Sequence, residues 1–494
     1  MKDEEDGEEQ NAESRQQPLF IAHCSFPPFP APHSPLQIDK RYFFETYGCQ
    51  MNSAESAALE LACRERGWTV SANGESADLV LINTCSVRLT AEQRAMGRIA
   101  HYAAIKKKKG RGARHPVLVL AGCMAQRLGE SLKEKYPAVD YVMGTAARAS
   151  FPLILEAIEK GSSPRDGGSD IELPAGMRNQ FSFSEIHLDE GRFRSFIPIM
   201  HGCDNFCSYC IVPYVRGREL SRDPRFIAEE IELVGSRGVR EITLLGQNVN
   251  SYAWNENSSK VDFPGLLKIA AVSAEKSGVK WIRFLSANPK DFSRETIRVM
   301  ADNPAFCRHL HLCVQHGSNR ILKAMNRQYS SEQYLELIAE IRGAMPGITF
   351  STDILVGFPG ETEDDLVQTL SLMDEVKFLY SYMYHYNPRE GTAAYALPGR
   401  IDEKTKRERL GRVIALQKTH TALLLKSRIG QRELVLIEGI SRKNADELIS
   451  RTERDETVAA PGPARLIGSF ASLTLSGLRG NTFRAKELCP CPGN

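Results

Sequence analysis

The sequence predicts an α/β protein built from an open parallel sheet, a partial (β/α)6 barrel and a small antiparallel β-barrel. Apolar strands alternate with amphipathic helices in two separate runs, over residues 40–160 and 192–427, and such alternation is typical of parallel sheets covered by helices. A stretch rich in Gly, Ser and Pro divides the two runs. Beyond residue 427 the pattern changes to short strands punctuated by Gly and Pro, which indicates antiparallel pairing.

Residues 1–39 are polar, rich in proline and aperiodic, so we expect a disordered extension there. They lack the apolar core of a secretory signal peptide, and no stretch of the chain is apolar enough to span a bilayer. These features and the 12 cysteines predict a cytoplasmic protein, because clustered thiols in a reducing compartment usually bind metal or react. A net charge of +2 excludes a strongly basic chain and leaves any RNA contact to local patches.

The first run, residues 40–160, contains four expected strands and three expected helices. The strands are predicted at 42–47, 78–83, 116–120 and 139–142, and the helices at 55–66, 91–108 and 125–135. Cys49, Cys85 and Cys123 each come directly after one of the first three strands. Because the carboxyl ends of parallel strands share one edge of a sheet, these cysteines are predicted to converge there.

Three converging thiolates can hold three irons of a cubic iron–sulfur cluster and leave the fourth iron open. Gly48 and Gly122, beside Cys49 and Cys123, would let the backbone approach such a cluster closely. The alternative is that each cysteine is an ordinary buried thiol. Three thiols at equivalent strand ends favour the cluster.

A linker is expected over residues 161–191, and the second run follows with six predicted strand–helix units. The strands are expected at 196–200, 241–245, 280–285, 309–314, 349–356 and 380–386, and helices between them include 226–235, 332–344 and 364–376. Six such units predict an incomplete barrel. By analogy with the complete barrel, the loops at the carboxyl ends of its strands would form the active site.

The loop after the first barrel strand carries Cys203, Cys207 and Cys210 in the run HGCDNFCSYC, with the spacing C-x-x-x-C-x-x-C. This triad also suits a cubic cluster with one open iron. Zinc is the alternative, with His201 as a fourth ligand, although structural zinc sites usually combine two C-x-x-C halves. A disulfide would leave one cysteine unpaired. The spacing resembles that of the radical S-adenosylmethionine (SAM) enzymes, in which SAM binds the open iron.

Four residues at later strand ends are weaker candidates for a SAM pocket: Gln247, Asn248, Asp353 and Gly357. Ordinary turn structure explains any single one of them equally well. Residues 428–488 predict the small barrel, of a kind that binds oligonucleotides. Residues 489–494, which include Cys489 and Cys491, are expected to form an unstructured tail.

From about residue 40 to residue 486 the chain resembles the tRNA methylthiotransferases of the MiaB type. The resemblance rests on TYGCQMN (46–52), NTCSVR (83–88), IVPYVRGR (211–218), LLGQNVN (244–250) and STDILVGFPGET (351–362). It implies an N-terminal methylthiotransferase domain, a radical SAM barrel and a C-terminal TRAM domain. The chain departs from the usual pattern of this family at Cys313 and His316, where relatives carry Pro and Ser.

The resemblance implies methylthiolation of C2 of N6-(dimethylallyl)adenosine at tRNA position 37, just 3′ of the anticodon. SAM and two [4Fe–4S] clusters would serve as cofactors. Cys203, Cys207 and Cys210 would hold the SAM-binding cluster, and the other triad would hold an auxiliary cluster. A reduced donor such as flavodoxin or ferredoxin and a sulfur or cluster supply system are the implied partners, and we expect a monomer.

Two other functions are compatible with parts of the pattern. Related methylthiotransferases modify threonylcarbamoyl-adenosine in tRNA or a ribosomal-protein aspartate. A non-catalytic, zinc-containing RNA-binding protein would need only a metal site and the small barrel. The run TYGCQMN and the Val212-Pro213-Tyr214 segment favour the dimethylallyl substrate.

Overall fold

The computed structural model describes residues 39–109, 115–161, 193–256 and 259–491. The extension expected over residues 1–39 and the linker expected over 161–191 therefore lie almost wholly outside the described residues. Within the described part of the chain, no helix combines the length and the apolar character needed to cross a membrane.

The amino-terminal part is an open sheet of five parallel strands in the order β2-β1-β3-β4-β5, with apolar clusters on both faces. Parallel pairing agrees with the alternation of strands and helices in the sequence. Its elements are β1 (Arg41–Thr46), α1 (Gln50–Glu65), β2 (Thr69–Val70), β3 (Leu79–Thr84), α2 (Leu89–Lys109), β4 (Val117–Gly122), α3 (Cys123–Leu128), α4 (Glu130–Lys135), β5 (Tyr141–Met143) and α5 (Phe151–Glu159).

Two details of this sheet differ from the sequence prediction. The single helix expected over residues 125–135 is two helices, because Gly129 has a positive φ of 48° and interrupts the helical backbone. The short edge strand β2 was not predicted, since its two residues are too few to show a hydrophobic period.

The central part contains six parallel strands in two three-stranded sheets, joined by isolated bridges from Ile282 to Phe306 and from Ala287 to Leu312. The resulting order, β6-β9-β12-β13-β14-β15, is the predicted incomplete barrel. Its elements are β6 (Arg194–Pro198), β7 (Met200–His201), α6 (Val212–Arg216), β8 (Leu220–Ser221), α7 (Pro224–Ser236), β9 (Glu241–Leu245), β10 (Ala253–Glu256), β11 (Ser259–Asp262), α8 (Phe263–Ser277), β12 (Trp281–Phe284), α9 (Arg294–Asp302), β13 (His309–His311), α10 (Asn319–Ala324), α11 (Ser331–Ala344), β14 (Thr349–Val356), α12 (Glu363–Val376), β15 (Tyr380–His385) and α13 (Glu403–Ser427).

The barrel strands present apolar side chains to the helices and polar side chains to the interior. On β14, Phe350 and Ile354 belong to the largest apolar cluster, whereas Ser351 and Asp353 alternate with them along the strand. Because side chains alternate between the two faces of a strand, Ser351 and Asp353 face the interior of the barrel. A polar interior suits a binding chamber better than a packed core.

The carboxyl-terminal part is a mainly antiparallel sheet of six strands: β16 (Arg432–Ser441), β17 (Asn444–Thr452), β18 (Thr457–Pro461), β19 (Phe470–Arg479), β20 (Thr482–Ala485) and β21 (Cys489–Pro490). β16 pairs with both β17 and β19, so the first five strands form a ring of hydrogen-bonded pairs. The prediction of an unstructured tail from residue 489 is wrong at its first residues, because Cys489 belongs to β21 and pairs with Ser472 of β19. Cys491 also packs against a small apolar cluster.

This sheet covers the end of the barrel where the strands begin. Arg283 of β12 donates to the backbone carbonyls of Glu453 at 2.6 Å and Thr452 at 3.1 Å. Arg194 of β6 lies 3.4 Å from the carboxylate of Asp455. The amino end of the barrel is therefore occupied by charged groups of the carboxyl-terminal strands, and the opposite end carries the cysteine loops.

Candidate active site

Three of the predicted cysteines meet at the carboxyl edge of the amino-terminal sheet. Cys49 caps the start of α1, Cys85 follows β3, and Cys123 is the first residue of α3 after β4. The strands before them, β1, β3 and β4, are neighbours in the sheet. Cys49 is in hydrogen-bonding contact with Cys85, and the charges of Cys49 and Cys123 both act on Cys85. We call this group the sheet triad.

Backbone conformation explains how the loops come so close. Gly48 has a φ of +131°, and a Cβ added there would lie 2.5 Å from the Cβ of Cys85. The amide of Asn52 donates to the carbonyls of Tyr47 at 2.9 Å and Thr84 at 3.0 Å, so one side chain ties two of the loops together. The sequence suggested that Gly48 lets the backbone approach closely, and this geometry agrees with that role.

A buried guanidinium from the barrel lies beside the sheet triad. Arg216, at the end of α6, contacts Glu55 of α1 at 2.6 Å and donates to Asn52 at 3.1 Å. Arg148 contacts the same carboxylate at 3.3 Å. Burial would raise the pKa of Glu55, but the two guanidinium groups overcome it and lower that pKa to about 2. Glu55 is therefore ionised at neutral pH.

The same guanidinium acts on two members of the sheet triad. The pKa of Cys49 is lowered to about 6, first by its hydrogen bond with Cys85 and also by the charge of Arg216, against the effect of burial. Burial raises the pKa of Cys123, and Arg216 opposes that effect. The hydrogen bond with Cys49 and then burial raise the pKa of Cys85, so its proton must leave when a metal binds.

The second triad lies on the loop after β7, and we call it the loop triad. Cys203 and Cys207 are buried and Cys210 is half-buried. The Cys203 amide donates to the carbonyl of Gly217 at 3.1 Å, and Arg327 lies 3.3 Å from the sulfur of Cys207. Burial raises the pKa of Cys203 to about 11, so a bound cation must displace its proton.

His201 does not have the hydrogen-bond arrangement of a metal ligand, in which one ring nitrogen donates and the other faces the metal. Its Nδ1 atom faces the guanidinium of Arg216 at 3.4 Å. Burial and, next, the charge of Arg216 lower the pKa of His201 to about 2, so the ring is neutral and accepts a hydrogen bond. Three thiols without this imidazole fit a cluster with one open iron better than four-coordinate zinc.

Helix α6 adjoins both triads. It begins two residues after Cys210, and Ile211 and Val215 pack against Cys123 of the sheet triad. The hydroxyl of Thr145 in the amino-terminal part donates to the backbone carbonyl of Val215. The loop triad and Cys123 of the sheet triad therefore adjoin the same short helix.

The weaker candidates divide into two groups. Among the described residues, Gln247 Oε1 and Asn248 Oδ1 are buried without a hydrogen-bond partner, which is what a ligand-binding position would show. Asp353 faces the barrel interior, as described above. Gly357 has a structural explanation, because its φ is +71° and its amide donates to Glu361 at 2.6 Å.

Sequence reasoning missed several residues of this site. Arg327 and Glu55 were not considered. For Arg216 the sequence allowed either a contact with SAM or tRNA phosphate or a pair with a nearby acid, and the structure shows the pair, with Glu55. Arg327 reaches Cys207 across 120 positions and Arg216 reaches Glu55 across 161. No local period could have revealed these pairs.

The barrel and its cysteine loop define a radical SAM protein, and the comparisons with known proteins agree. The model of the radical SAM superfamily matches residues 197–373, and that of uncharacterized protein family UPF0004 matches residues 41–144. The superfamily implies SAM and a [4Fe–4S] cluster. A solved methyltransferase of this superfamily, TsrM from Kitasatospora setae, has a similar fold, with a TM-score of 0.52 at 16% identity over 72% of this chain and 74% of that one.

Curated relatives are similar over nearly the whole chain. The tRNA-2-methylthio-N(6)-dimethylallyladenosine synthase of Treponema pallidum (strain Nichols) is 47% identical, covering 90% of this chain and 98% of the relative. The enzymes of that name from Treponema denticola and Geobacter sulfurreducens are 47% and 39% identical, covering 90% and 89% of this chain and 99% and 95% of the relatives. The chain belongs to the family of tRNA-2-methylthio-N(6)-dimethylallyladenosine synthases.

Proposed function

We propose that the protein methylthiolates C2 of N6-(dimethylallyl)adenosine in tRNA, at the nucleoside 3′ of the anticodon. One observation carries the proposal: two three-cysteine groups adjoin the same helix of five residues, which begins two residues after Cys210 and packs against Cys123. A single cluster site would be enough to generate a radical from SAM. The second site gives the inserted sulfur a source within reach of the same substrate.

In this proposal, the loop triad (Cys203, Cys207 and Cys210) holds the SAM-binding cluster, and the sheet triad (Cys49, Cys85 and Cys123) holds the auxiliary cluster. The bound cofactors would supply the electron, the methyl group and the sulfur. The protein supplies position and charge. Arg327 fixes Cys207, Arg216 keeps a cation beside the sheet triad, and the unpartnered oxygens of Gln247 and Asn248 are available to a bound SAM.

The remaining parts of the proposal concern domains and partners. Residues 40–160, 192–427 and 428–488 are the methylthiotransferase, radical SAM and TRAM domains, and the ring of strand pairs in the third supports a small barrel that contacts tRNA. A reduced flavodoxin or ferredoxin would donate electrons, and a separate system would renew the sulfur. We propose that the protein acts in the cytoplasm as a monomer.

Metal analysis under anaerobic conditions tests the cofactor assignment. We expect about eight irons per chain in the wild type and about half that number in Cys203→Ala and in Cys85→Ala. Cys63→Ala is a suitable control, because Cys63 is buried in an apolar cluster away from both triads. A colourless protein with stoichiometric zinc would instead support the non-catalytic RNA-binding alternative.

Nucleoside analysis of tRNA tests the substrate. A strain without this gene should accumulate N6-(dimethylallyl)adenosine that lacks the methylthio group, and the wild-type gene should restore the modification. An unchanged profile for that nucleoside would reject the proposal. Loss of the methylthio group from threonylcarbamoyl-adenosine, or from a ribosomal protein, would identify one of the related substrates.

A further inference from the structure

Three polar side chains outside both triads meet inside the barrel. His311 and Cys313 lie at the carboxyl end of β13, and Asp353 lies on the neighbouring strand β14. The Cys313 thiol donates to Oδ2 of Asp353 at 3.2 Å, and Nε2 of His311 lies 3.8 Å from the same oxygen. His311 and Cys313 are buried, whereas the Asp353 side chain keeps 26% of its surface exposed.

Hydrogen bonding argues against a metal ion at this group. The backbone amide of Ser286 donates to Nδ1 of His311 at 3.1 Å, so a neutral ring carries its proton on Nε2. A histidine that binds metal has the opposite arrangement, with a lone pair toward the metal and the other nitrogen donating. The thiol therefore donates a hydrogen bond to Asp353 as acceptor, and the Nε2–H group of His311 lies near the same oxygen without reaching hydrogen-bond distance.

Neighbours of Asp353 contact residues at or near both triads. One guanidinium, that of Arg327, contacts the sulfur of Cys207 at 3.3 Å and the carbonyl of Cys313 at 2.9 Å. This links the Asp353 group to the loop triad through a single side chain. On the other side, Arg88 follows Cys85 of the sheet triad by three residues and lies against Tyr384 of β15.

Strand β15 gives this chamber an aromatic wall. Tyr380, Tyr382 and Tyr384 alternate along the strand and share the face of Asp353, which is paired with Tyr382. Tyr380 stacks on His309 with ring centres 5.0 Å apart, and Tyr382 packs edge-on against His311. Tyr384 has no such ring contact among the described residues and is 37% exposed. Part of its side chain is therefore open to a ligand.

We propose that Asp353 and Tyr384 form the subsite for the target base, in which the carboxylate accepts the N6–H of the adenine and the phenol ring stacks on the purine. This inference rests on the proposed function. Stacking on aromatic side chains, combined with hydrogen bonds to base edges, is the usual way in which proteins bind unstacked RNA bases. In this proposal Asp353 binds the target base, whereas the sequence suggested that it lines the SAM pocket.

The hydrogen bond between Asp353 and N6–H is tested by a thermodynamic cycle that combines a protein variant with a modified ligand. The ligand is an anticodon stem–loop carrying N6-(dimethylallyl)adenosine, and its Kd is measured with the iron-loaded enzyme and SAM under anaerobic conditions without reductant. We expect Asp353→Asn to weaken binding about 10-fold, as for loss of a hydrogen bond to a charged group. An analogue with an additional N6-methyl group lacks the N–H. It should bind the wild type about 10-fold more weakly and should show no further loss with Asp353→Asn.

Variants of Tyr384 test the stacking contact, and a distant acid serves as the matched control. Tyr384→Leu should weaken binding about 10-fold, and Tyr384→Phe should bind clearly more tightly than Tyr384→Leu because it keeps the ring. Asp364→Asn makes the same chemical change on the exposed start of α12 and should bind like the wild type. Iron content, measured for every variant, checks that the clusters are retained.

Several outcomes would overturn the subsite. The first is equal binding of the stem–loop by Asp353→Asn and the wild type. The second is that the losses caused by Asp353→Asn and by the N6-methyl analogue add up. The third is a protein that contains one zinc per chain and loses it in Cys313→Ala. If Asp353→Asn fails to retain iron, the Tyr384 pair decides alone, and equal binding by Leu and Phe variants rejects the proposal. Conversion of the stem–loop by the wild type is assayed separately with a reductant, so that failure of the proposed function is distinguishable.

Discussion

Replacing Arg216 with Gln should loosen the amino-terminal sheet where it meets the barrel. The side chains of Arg216 and Glu55 are 3% and 2% exposed, and removal of one member of a buried ion pair typically costs about 3–5 kcal/mol. Arg148 still contacts Glu55 at 3.3 Å after the change and keeps part of the compensation. We therefore expect a loss near the lower limit, about 3 kcal/mol.

Hydrogen–deuterium exchange can locate this loss, which a global melting curve of a multidomain protein cannot. A loss of about 3 kcal/mol corresponds to roughly 100-fold faster exchange if the affected segment opens locally. The acceleration should appear in α1 (Gln50–Glu65), which carries Glu55. Helix α11 (Ser331–Ala344) lies more than 100 residues after Arg216 in the chain and should exchange at the wild-type rate.

Arg218→Gln is the matched control, because Arg218 lies two residues away and its side chain is 76% exposed in its ion pair with Asp204. Surface pairs of this kind contribute little, so exchange in α1 should change by less than about threefold. Glu55→Gln/Arg216→Gln should not restore protection, because it also removes the carboxylate that Arg148 contacts. If Arg216→Gln itself changes exchange in α1 less than threefold, the Arg216–Glu55 pair does not hold the amino-terminal sheet against the barrel.

Three further changes give measurable results. Gly122→Ala should lower the melting temperature by several degrees, because Gly122 has a φ of +91° and an added Cβ would overlap the carbonyl of Thr84. His309 is neutral in the folded protein, since burial and then Arg283 lower its pKa to about 3. Stability should therefore fall as the pH drops below about 6.5, where the unfolded histidine gains a proton, and His309→Gln should reduce this fall by about 1.4 kcal/mol per pH unit in urea titrations. Arg283→Gln should release the carboxyl-terminal strands to trypsin about 10-fold faster, because it removes the hydrogen bond to the carbonyl of Glu453.

The positions of the cysteines could be predicted because the information is local. Each strand before Cys49, Cys85 or Cys123 is an apolar run, and parallel strands place their carboxyl ends at one edge. The prediction needed only strand identity, and errors of one or two residues at strand ends did not affect it. The loop triad was simpler still, since its spacing is contained in eight residues, 203–210.

The side chains around the cysteines could not be predicted in this way. Arg327 lies 120 positions from Cys207, and Glu55 is close to Cys49 in sequence but 161 positions from its partner Arg216. The charge of Arg327 and Glu55 alone suggests a solvated surface. Cys489 joins β21 only because β19 offers it a free edge, a fact of tertiary structure. Local pattern thus predicts which groups perform the chemistry, and long-range packing determines what surrounds them.

The two ends of the barrel restrict how a large substrate can reach the proposed subsite. At the amino end, Arg194 and Arg283 are held by the carboxyl-terminal strands, and Tyr380 lies 3.5 Å from Asp455. At the opposite end, Arg389 of the barrel and Glu92 of α2 form a buried pair at 2.6 Å. Among the described residues no strand pairing joins β6 to β15, so hydrogen-bonded strands do not close the barrel there. We expect a base extended from an RNA loop to enter at this gap between the strands, beside β15, which carries Tyr384.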